Sequence, residues 1–432
     1  MPLPDPVIVI PGITANYLQD QYPLPPDDIW TVLHLDYERS AFHPDDLRYE
    51  AIQPSLVRPG QLYEIAYKEL IEELRHNLSQ DPAKPVPVFP FSYDWRQPLE
   101  AVEPQLMAFI EEIAVRTALM PHYAHDGYAE RKTVTLLGHS MGGLVIAGFL
   151  ERYKEKSSVR KVITLATPFK GSFEAVIKVT TGTANLGTKP PSSREREAAR
   201  VTPSLYYLLP DVPDGIVFGD PALPKTLFDP AIWQPSILQT IERYVKDRSV
   251  NPVNPAARAR SIFQRLLQNA KAHRKRITAF RLNDAGLEEK DWLCVAGVNS
   301  KTRVRLEIVQ TPDGADFRFH NNDRLNQWSD PDPGKRVYTG DGTVPFEGAL
   351  PEFISRDAVI CVTPEDYGYW EIQDKLTTDI GGFHGLICNM DMLHRLIVRH
   401  LTGAADNHGN TWGRRAPGVA KWAPPLPLTE KF

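Results

Sequence analysis

The sequence predicts an α/β protein in which a mostly parallel central sheet is covered by helices on both faces and carries an inserted cap. Short apolar segments rich in β-branched residues, such as VIVI at 7–10 and TVTLL at 133–137, alternate with longer amphipathic segments. Near-continuous apolar strands that alternate with helices are typical of a parallel sheet buried on both faces. The alternation stops after residue 171 and resumes at Trp292, which indicates an insertion into one sheet domain.

The chain divides into four predicted segments. Residues 1–171 form the first part of the sheet core, and residues 172–284 form a mainly helical cap, or lid. Residues 285–405 complete the core and include a hairpin over 302–320. The remaining residues, 406–432, are rich in Pro, Gly and Trp and form either a loose tail or an arm strapped across the surface.

Local patterns define each element along the chain. Apolar residues at helical spacing predict helices, apolar β-branched runs predict strands, and clusters of Pro, Gly and Asp predict loops. In chain order these patterns give a strand that stops at Pro11-Gly12, an irregular stretch over 24–62, a helix over 62–74, a strand over 86–89, a helix over 99–118, a strand over 133–137, a helix over 144–153, a strand over 162–166, cap helices over 232–245 and 255–275, a strand over 292–298, the hairpin, a strand over 358–362 and a final helix over 392–401.

Composition and charge exclude several classes of function. The net charge is −5, with acidic and basic residues well mixed, so no basic surface for nucleic acid is expected. The basic segment over 258–276 is interpreted as a helix with a solvated face. The sequence has no H-E-x-x-H or similar ligand cluster and no glycine fingerprint for a dinucleotide, so neither a metal nor a cofactor is expected.

Cysteine usage and the first residues indicate a cytoplasmic protein. The three cysteines, Cys294, Cys361 and Cys388, are too few for a disulfide framework, and two of them lie in apolar predicted strands, as in a reducing compartment. The N-terminus leads into a strand without the basic and apolar regions of a secretory signal. The apolar runs stay short of the about 18 residues that a membrane-spanning helix needs.

The segment GHSMGG at 138–143 fits the pattern G-x-S-x-G and lies between a predicted strand and a predicted helix. In such a turn a serine hydroxyl projects above the sheet, and the flanking glycines are needed because a Cβ there would collide with neighbouring elements. The N-terminus of the following helix directs N–H groups at a developing oxyanion. We therefore predict Ser140 as a nucleophile, with a purely structural turn as the alternative.

A serine nucleophile needs a base, and the base needs a carboxylate that fixes its tautomer. In this strand–turn–helix arrangement the chain order is Ser, then Asp or Glu, then His. Asp341 in GDGTVP and His384 in GGFHGL follow later predicted strands in that order, each flanked by glycine. We predict Asp341 as the acid and His384 as the base, although Asp341 could also merely shape a turn.

Four rival residues have the right chemistry in less suitable places. Asp366 and Asp379 are the rival acids, and His394 and His400 are the rival bases. Both rival histidines lie in the final predicted helix, where a satisfied surface histidine is the default interpretation.

An oxyanion hole needs two N–H donors. The backbone of Met141, directly after the nucleophile, supplies one, and the loop after the first strand supplies the second. Ile13 is the predicted donor in that loop, with Gly12 as the alternative. Gly12, Trp95 and His139 are the predicted substrate-binding residues, and His139 is expected to pack beside the nucleophile rather than to react.

These motifs resemble the lecithin:cholesterol acyltransferase family, which includes lysosomal phospholipase A2 and phospholipid:diacylglycerol acyltransferases. The matching segments span nearly the whole chain in order: VIVIPGITANYL at 7–18, SYDWR at 92–96, GHSMGG, ATPFKGS at 166–172, PSLYYLLP at 203–210, GDGTVP at 340–345 and the loop around His384. The chain departs from the secreted members, which have a signal peptide and a disulfide-closed lid. The cap between residues 172 and 283 matches only in PSLYYLLP, so substrate choice is not carried over.

The resemblance implies an α/β-hydrolase fold with Ser140, Asp341 and His384 as its catalytic triad and Ile13 and Met141 at the oxyanion hole. It also implies an acyl-serine intermediate. The leading hypothesis is a lipase- or phospholipase-like ester hydrolase that takes an acyl ester or lipid, with a membrane surface as a possible source. The alternatives are an acyltransferase that uses a lipid alcohol and a non-catalytic binding protein of the same fold.

Overall fold

The structure is a computed structural model that describes residues 3–182, 193–250, 253–312, 314–321, 339–368, 371 and 382–431. Its strands are β1 (Val7–Ile10), β2 (Asn16–Asp20), β3 (Asp27–Trp30), β4 (Val57–Leu62), β5 (Val88–Pro90), β6 (Val134–His139), β7 (Val159–Leu165), β8 (Ile216–Phe218), β9 (Trp292–Gly297), β10 (Arg303–Thr311), β11 (Gly314–Asn321), β12 (Ile360–Val362), β13 (Trp412–Gly413) and β14 (Thr429–Glu430). Its α-helices are α1 (Glu64–Leu78), α2 (Leu99–Ala118), α3 (Pro121–His125), α4 (Tyr128–Arg131), α5 (Met141–Tyr153), α6 (Phe173–Thr180), α7 (Ser193–Arg200), α8 (Pro203–Tyr207), α9 (Pro235–Arg248), α10 (Pro255–Ala279), α11 (Phe383–Leu386) and α12 (Asp391–Thr402).

A six-stranded sheet forms the centre of the molecule, in the order β12-β9-β7-β6-β1-β5. Each neighbouring pair of strands runs parallel, which confirms the predicted fold class. Ile10 pairs with Gly138, and His139 pairs with Leu165. The loops that follow β1, β6 and β7 therefore leave the sheet side by side at its carboxyl edge, where open α/β sheets bind their ligands.

The two faces of the sheet pack against different helices. Ile8 and Ile10 belong to the apolar cluster that includes α2, α5 and α10, whereas Val7 and Val9 belong to the cluster that includes α1 and α12. This alternation is expected because successive strand residues point to opposite faces. The helices on both faces confirm the layered arrangement that the apolar strands predict.

The prediction of an irregular stretch over 24–62 is wrong in part. β3 and β4 fall inside it and pair with β2 in an antiparallel three-stranded sheet. The strands are short, and β4 contains Pro59 and Gly60, which weaken the usual strand pattern. The sheet lies directly after the loop that follows β1.

The segment 172–284 contributes α6 to α10 and also β8. β8 pairs in parallel with β10, and β10 pairs antiparallel with β11, with Thr311 opposite Gly314. β10 and β11 correspond to the hairpin predicted over 302–320. Because β8 joins this hairpin, we propose that the cap is a mixed unit, and its predicted boundaries remain a proposal.

The C-terminal residues form an arm, which was one of the two predicted alternatives. Cys361 in the edge strand β12 forms an antiparallel bridge with Arg414. β13 and β14 pair with each other in parallel, and the indole N–H of Trp422 donates to the carbonyl of Val359. In the part of the chain that the structure describes, no helix is long and apolar enough to cross a membrane.

Candidate active site

Ser140 lies on a sharp turn between β6 and α5, with φ 54° and ψ −127°. A Cβ on Gly138 would lie 2.7 Å from the backbone nitrogen of Gly143, and a Cβ on Gly142 would meet the carbonyl of Ile10. Neither backbone group can move aside, so these positions need glycine. The positive φ of a non-glycine residue is sterically unfavourable, and the tight packing around it holds Ser140 in this conformation.

His384 lies between the hydroxyl of Ser140 and the carboxylate of Asp341. Its Nδ1 is 2.7 Å from Oδ2 of Asp341, and its Nε2 is 2.9 Å from Oγ of Ser140. A carboxylate can only accept hydrogen bonds, so Nδ1–H donates to Asp341 and leaves the lone pair of Nε2 for the serine hydroxyl. The three side chains predicted from separate loops therefore meet in the order serine, histidine, acid.

The acid loop holds Asp341 through its second oxygen. Oδ1 accepts the backbone N–H groups of Thr343 at 2.9 Å and Val344 at 2.7 Å, and the residue is only 1% exposed. The next residue, Gly342, has φ +95° and donates its N–H to Oγ1 of Thr302. The two bonds to Oδ1 hold the side chain so that its other oxygen, Oδ2, faces His384.

The histidine loop is fixed by its backbone as well as by its ring. The N–H of His384 donates to the carbonyl of Asp341 at 3.0 Å, and the hydroxyl of Tyr367 donates to the carbonyl of Leu386 at 2.6 Å. Gly297 at the end of β9 lies under the acid loop, because a Cβ there would be 2.6 Å from Cβ of Asp341. The sequence signal for this glycine, the end of an apolar strand, is weak.

The two predicted oxyanion donors differ from Gly12 in the partners of their backbone N–H groups. Within the described residues, neither Ile13 nor Met141 donates its N–H to an acceptor. The N–H of Gly12, the alternative donor, is already bonded to the hydroxyl of Tyr67 at 2.9 Å. The hydroxyl of Tyr93 donates to the carbonyl of Pro11 at 2.9 Å, so side chains from two directions hold the loop.

His139, a predicted substrate-binding residue, has both ring nitrogens bonded to the protein. Nδ1 is 2.8 Å from the hydroxyl of Tyr67, and Nε2 is 2.9 Å from the carbonyl of His384. Burial, followed by the nearby ring of His384, lowers the pKa of His139 from 6.5 to about 3. No ring nitrogen of His139 is left for a substrate, and the ring is neutral at ordinary pH.

Trp95 is 4% exposed and packs on Trp30, with ring centroids 4.9 Å apart. The indole nitrogen of Trp95 has no hydrogen-bond partner among the described residues. Trp30 in turn donates its N–H to the carbonyl of Thr14 in the loop after β1. Trp95 thus contacts that loop through Trp30. Its role in substrate binding remains a prediction.

The rival residues that the structure describes are engaged elsewhere. Asp366 pairs with Arg414 and accepts the indole N–H of Trp412. His394 bonds the carbonyl of Cys388 at 2.6 Å. Both His394 and His400 are buried, because they lie on the inner face of α12. The interpretation of these two residues as helix-surface histidines is therefore wrong. Asp379 lies outside the described residues.

Sequence reasoning missed the side chains that hold the loops together, although they lie in the quoted motifs. In ATPFKGS, Thr167 lies against Gly143 and the hydroxyl of Ser172 donates to the carbonyl of Thr343 at 2.5 Å. In SYDWR, Arg96 is fully buried between Asp94 and Glu50. A conspicuous polar motif beside an apolar strand is the signal that could have identified them.

Comparison with known proteins identifies one family and one fold. The sequence model for lecithin:cholesterol acyltransferase matches residues 54–269, which is half of this chain. A chain of the solved structure described as "The crystal structure of Tle4-Tli4 complex" superimposes with a TM-score of 0.54 and 15% sequence identity, over 81% of this chain and 89% of that chain. At this identity the likeness concerns the fold alone. No curated protein matches the sequence.

Proposed function

The chain belongs to the lecithin:cholesterol acyltransferase family, and from this membership we propose that it is a serine hydrolase of acyl lipid esters that works through an acyl-serine intermediate. One observation carries the proposal: His384 contacts Ser140 at 2.9 Å and Asp341 at 2.7 Å on opposite sides of its ring. Nδ1–H of His384 donates to Asp341, and Nε2 accepts from the hydroxyl of Ser140. Nucleophilic catalysis by serine requires this arrangement.

In the proposed mechanism, Oγ of Ser140 attacks the ester carbonyl while Nε2 of His384 takes its proton. Asp341 stabilises the imidazolium that forms, and its two backbone donors keep the carboxylate in place. His384 then gives the proton to the departing alcohol, leaving an acyl-serine. Water activated by the same nitrogen releases the fatty acid and restores the enzyme.

The developing oxyanion is proposed to bind the N–H groups of Ile13 and Met141. Both lack acceptors within the described part of the chain, so no group there competes with an oxyanion for them. The N–H of Gly12 is already bonded to Tyr67. The proposal therefore names Ile13 as the second donor, whereas the sequence alone leaves Ile13 and Gly12 as alternatives. Each such donor contributes on the order of 10²- to 10³-fold in kcat.

Ester hydrolysis with a matched variant tests the proposal. The protein is incubated with p-nitrophenyl esters of a short and a long fatty acid, and the same assay is run with Ser140→Ala. We expect release of p-nitrophenol by the wild-type protein and a loss of about 10³-fold or more in the variant. Equal rates for the two proteins would contradict the proposal.

The acyltransferase alternative uses the same residues and differs only at deacylation. It is favoured by the function after which the matching family is named. If an alcohol displaces water, added lysolipid, sterol or diacylglycerol should acquire the acyl group. If free fatty acid is the only acyl product, the acyltransferase alternative is excluded. An esterified acceptor would indicate transfer.

A further inference from the structure

A chain of hydrogen bonds runs beneath the candidate site and joins its loops. It starts at the N–H of Gly12, passes through the hydroxyl of Tyr67 and the ring of His139, and ends at the carbonyl of His384. The three bonds measure 2.9, 2.8 and 2.9 Å. Tyr67 and His139 are 1% and 4% exposed, so water does not compete for these bonds.

The direction of every proton in this chain follows from its two ends and from the neutral ring of His139. A backbone N–H can only donate and a backbone carbonyl can only accept. Nε2 of His139 must therefore carry the proton that it donates to His384, and Nδ1 must accept from Tyr67. The oxygen of Tyr67 accepts from Gly12 and donates its own proton to His139.

The chain remains uncharged along its whole length. Burial raises the pKa of Tyr67 well above its usual value of 10.0, and burial lowers the pKa of His139 to about 3. Neither group therefore gains or loses a proton at ordinary pH. A neutral chain orients its partners without adding charge beside the imidazolium that forms on His384 during the reaction.

The two ends of the chain are the two backbones whose positions matter most for the proposed reaction. Fixing the N–H of Gly12 holds the Pro11–Gly12 peptide, which directly precedes the peptide that carries the N–H of Ile13, the proposed oxyanion donor. Fixing the carbonyl of His384 orients the backbone of the proposed base. His139 also directly precedes Ser140, so one ring links the oxyanion loop, the nucleophile turn and the histidine loop.

We propose that Tyr67 and His139 are positioning residues that set the oxyanion loop and the backbone of His384 relative to Ser140 through a directional hydrogen-bond chain. The inference rests on the proposed hydrolase function and extends it to two side chains that do not touch the reacting atoms. Their loss should lower kcat and leave KM nearly unchanged, since ground-state contacts with the substrate are not involved.

Tyr67→Phe removes only the hydroxyl of the chain. We expect kcat for a p-nitrophenyl ester to fall about 10- to 100-fold, because small displacements of reacting groups have effects of this size, with KM within about twofold. Tyr128→Phe is the matched control: it removes another buried hydroxyl, which bonds the carbonyl of Thr133 at the other end of β6. Equal kcat in the two variants would overturn the proposal.

Two substitutions at His139 separate hydrogen bonding from packing. His139→Gln offers an amide that can donate to the carbonyl of His384, whereas His139→Leu fills space without any donor. We expect the Gln variant to keep kcat within about fivefold of wild type and the Leu variant to fall at least as far as Tyr67→Phe. A Leu variant as active as the Gln variant would overturn the proposal.

The tautomer of His139 supplies a readout that does not depend on activity. In ¹⁵N-histidine NMR spectra of the wild-type protein at neutral pH, the His139 signal should show protonated Nε2 and bare Nδ1. The signal is assigned by its loss in His139→Gln. A protonated Nδ1 overturns the proposal even if Ser140 proves to be catalytic, whereas failure of hydrolysis with the expected tautomer rejects the proposed function and keeps the hydrogen-bond chain.

Discussion

The two carboxylate oxygens of Asp341 accept hydrogen bonds from different groups, and this difference predicts the effect of Asp341→Asn. Oδ1 accepts two backbone N–H groups and Oδ2 accepts Nδ1–H of His384. In Asp341→Asn the backbone donors would retain the amide oxygen, so the NH₂ group would face His384. The ring would then need a lone pair at Nδ1 and a proton at Nε2, the tautomer that cannot accept a proton from Ser140.

We therefore expect Asp341→Asn to lower kcat about 10³- to 10⁴-fold, as the wrong tautomer does in serine proteases, while KM changes little. Steady-state kinetics checks the activity, and thermal unfolding is the control. The midpoint should stay close to that of wild type because the backbone donors keep an acceptor. A loss in kcat below about tenfold would contradict the assigned role of this residue.

We predict that alanine in place of glycine destabilises the protein at the nucleophile turn but not beside the proposed base. A Cβ on Gly138 would meet backbone atoms of Gly142 and Gly143 at 2.8 and 2.7 Å, whereas a Cβ on Gly385 would meet nothing within 4 Å. We expect Gly138→Ala to lower the free energy of unfolding by about 1–3 kcal/mol and Gly385→Ala to change it by less than about 0.5 kcal/mol. Denaturant unfolding distinguishes them, and equal stabilities would refute this account of the turn.

At the level of elements, a buried ion pair reinforces the backbone bridge that attaches the C-terminal arm to the sheet edge. Arg414 pairs with Asp366, whose side chain is fully buried, and Asp366 also accepts the N–H groups of Thr363 and Trp412. The next residue along, Tyr367, bonds the loop of His384 through Leu386. The arm thus supports the loop that carries the proposed base.

Neighbouring arginines in the arm should differ sharply in their contribution to stability. Arg414→Ala leaves the carboxylate of Asp366 buried without its counter-ion, which costs about 3 kcal/mol. Arg415→Ala removes a pair with Glu430 in which both side chains are about a third exposed, so at most about 1 kcal/mol is expected. Denaturant unfolding of both variants checks this, and a larger loss in Arg415→Ala would contradict the account.

Helix α10 of the proposed cap meets α2 and α5 through a contact that no local pattern predicts. A Cβ on Gly148 in α5 would lie 2.5 Å from the carboxylate of Glu103 in α2 and 2.6 Å from the ring of His273 in α10. Glu103 is fully buried and pairs with Arg152 and with an arginine of α10. Helical periodicity predicts each of these helices, but it gives no information on which charged residue of one helix meets a glycine of another.

For the whole molecule, buried histidines couple stability to pH. Burial, followed by the charge of Lys161, lowers the pKa of His400 from 6.5 to about 3. Between these values the unfolded chain binds a proton that the folded protein does not. The free energy of unfolding therefore rises with pH in this range and falls as the pH drops below about 6.5, by about 1.4 kcal/mol per pH unit for one such group.

His400→Gln removes this contribution and leaves the other titrating groups in place. Denaturant unfolding of wild type and variant is measured at about pH 5 and about pH 6. The wild-type protein should lose more stability on acidification than the variant, by about 1 kcal/mol over this interval. Parallel pH profiles would show that His400 takes up a proton in the folded state.

The elements of the core and the candidate reacting residues could be predicted from the sequence because both are marked by short local patterns of residues. Ser140, Asp341 and His384 each lie in a short glycine-flanked motif after an apolar strand, and the structure brings their side chains together. The antiparallel sheet after β1 has no such pattern, since its strands are short and β4 is interrupted by proline and glycine.

The positioning contacts could not be predicted because they join residues that are remote in the chain. Tyr67 reaches Gly12 across 55 positions and His139 across 72, and His139 reaches His384 across 245. Periodicity records which face of an element is buried, but it does not record which partner lies there. For the same reason the sequence leaves Ile13 and Gly12 as alternative oxyanion donors, and the proposal of Ile13 rests on the bond from Gly12 to Tyr67.

The most direct test of the central claim is to react the protein with a fluorophosphonate and locate the adduct by peptide mass spectrometry. The account predicts one adduct on Ser140, no labelling of Ser140→Ala, and much slower labelling of His384→Ala. An adduct on a different residue, or labelling that proceeds equally well without His384, would contradict it.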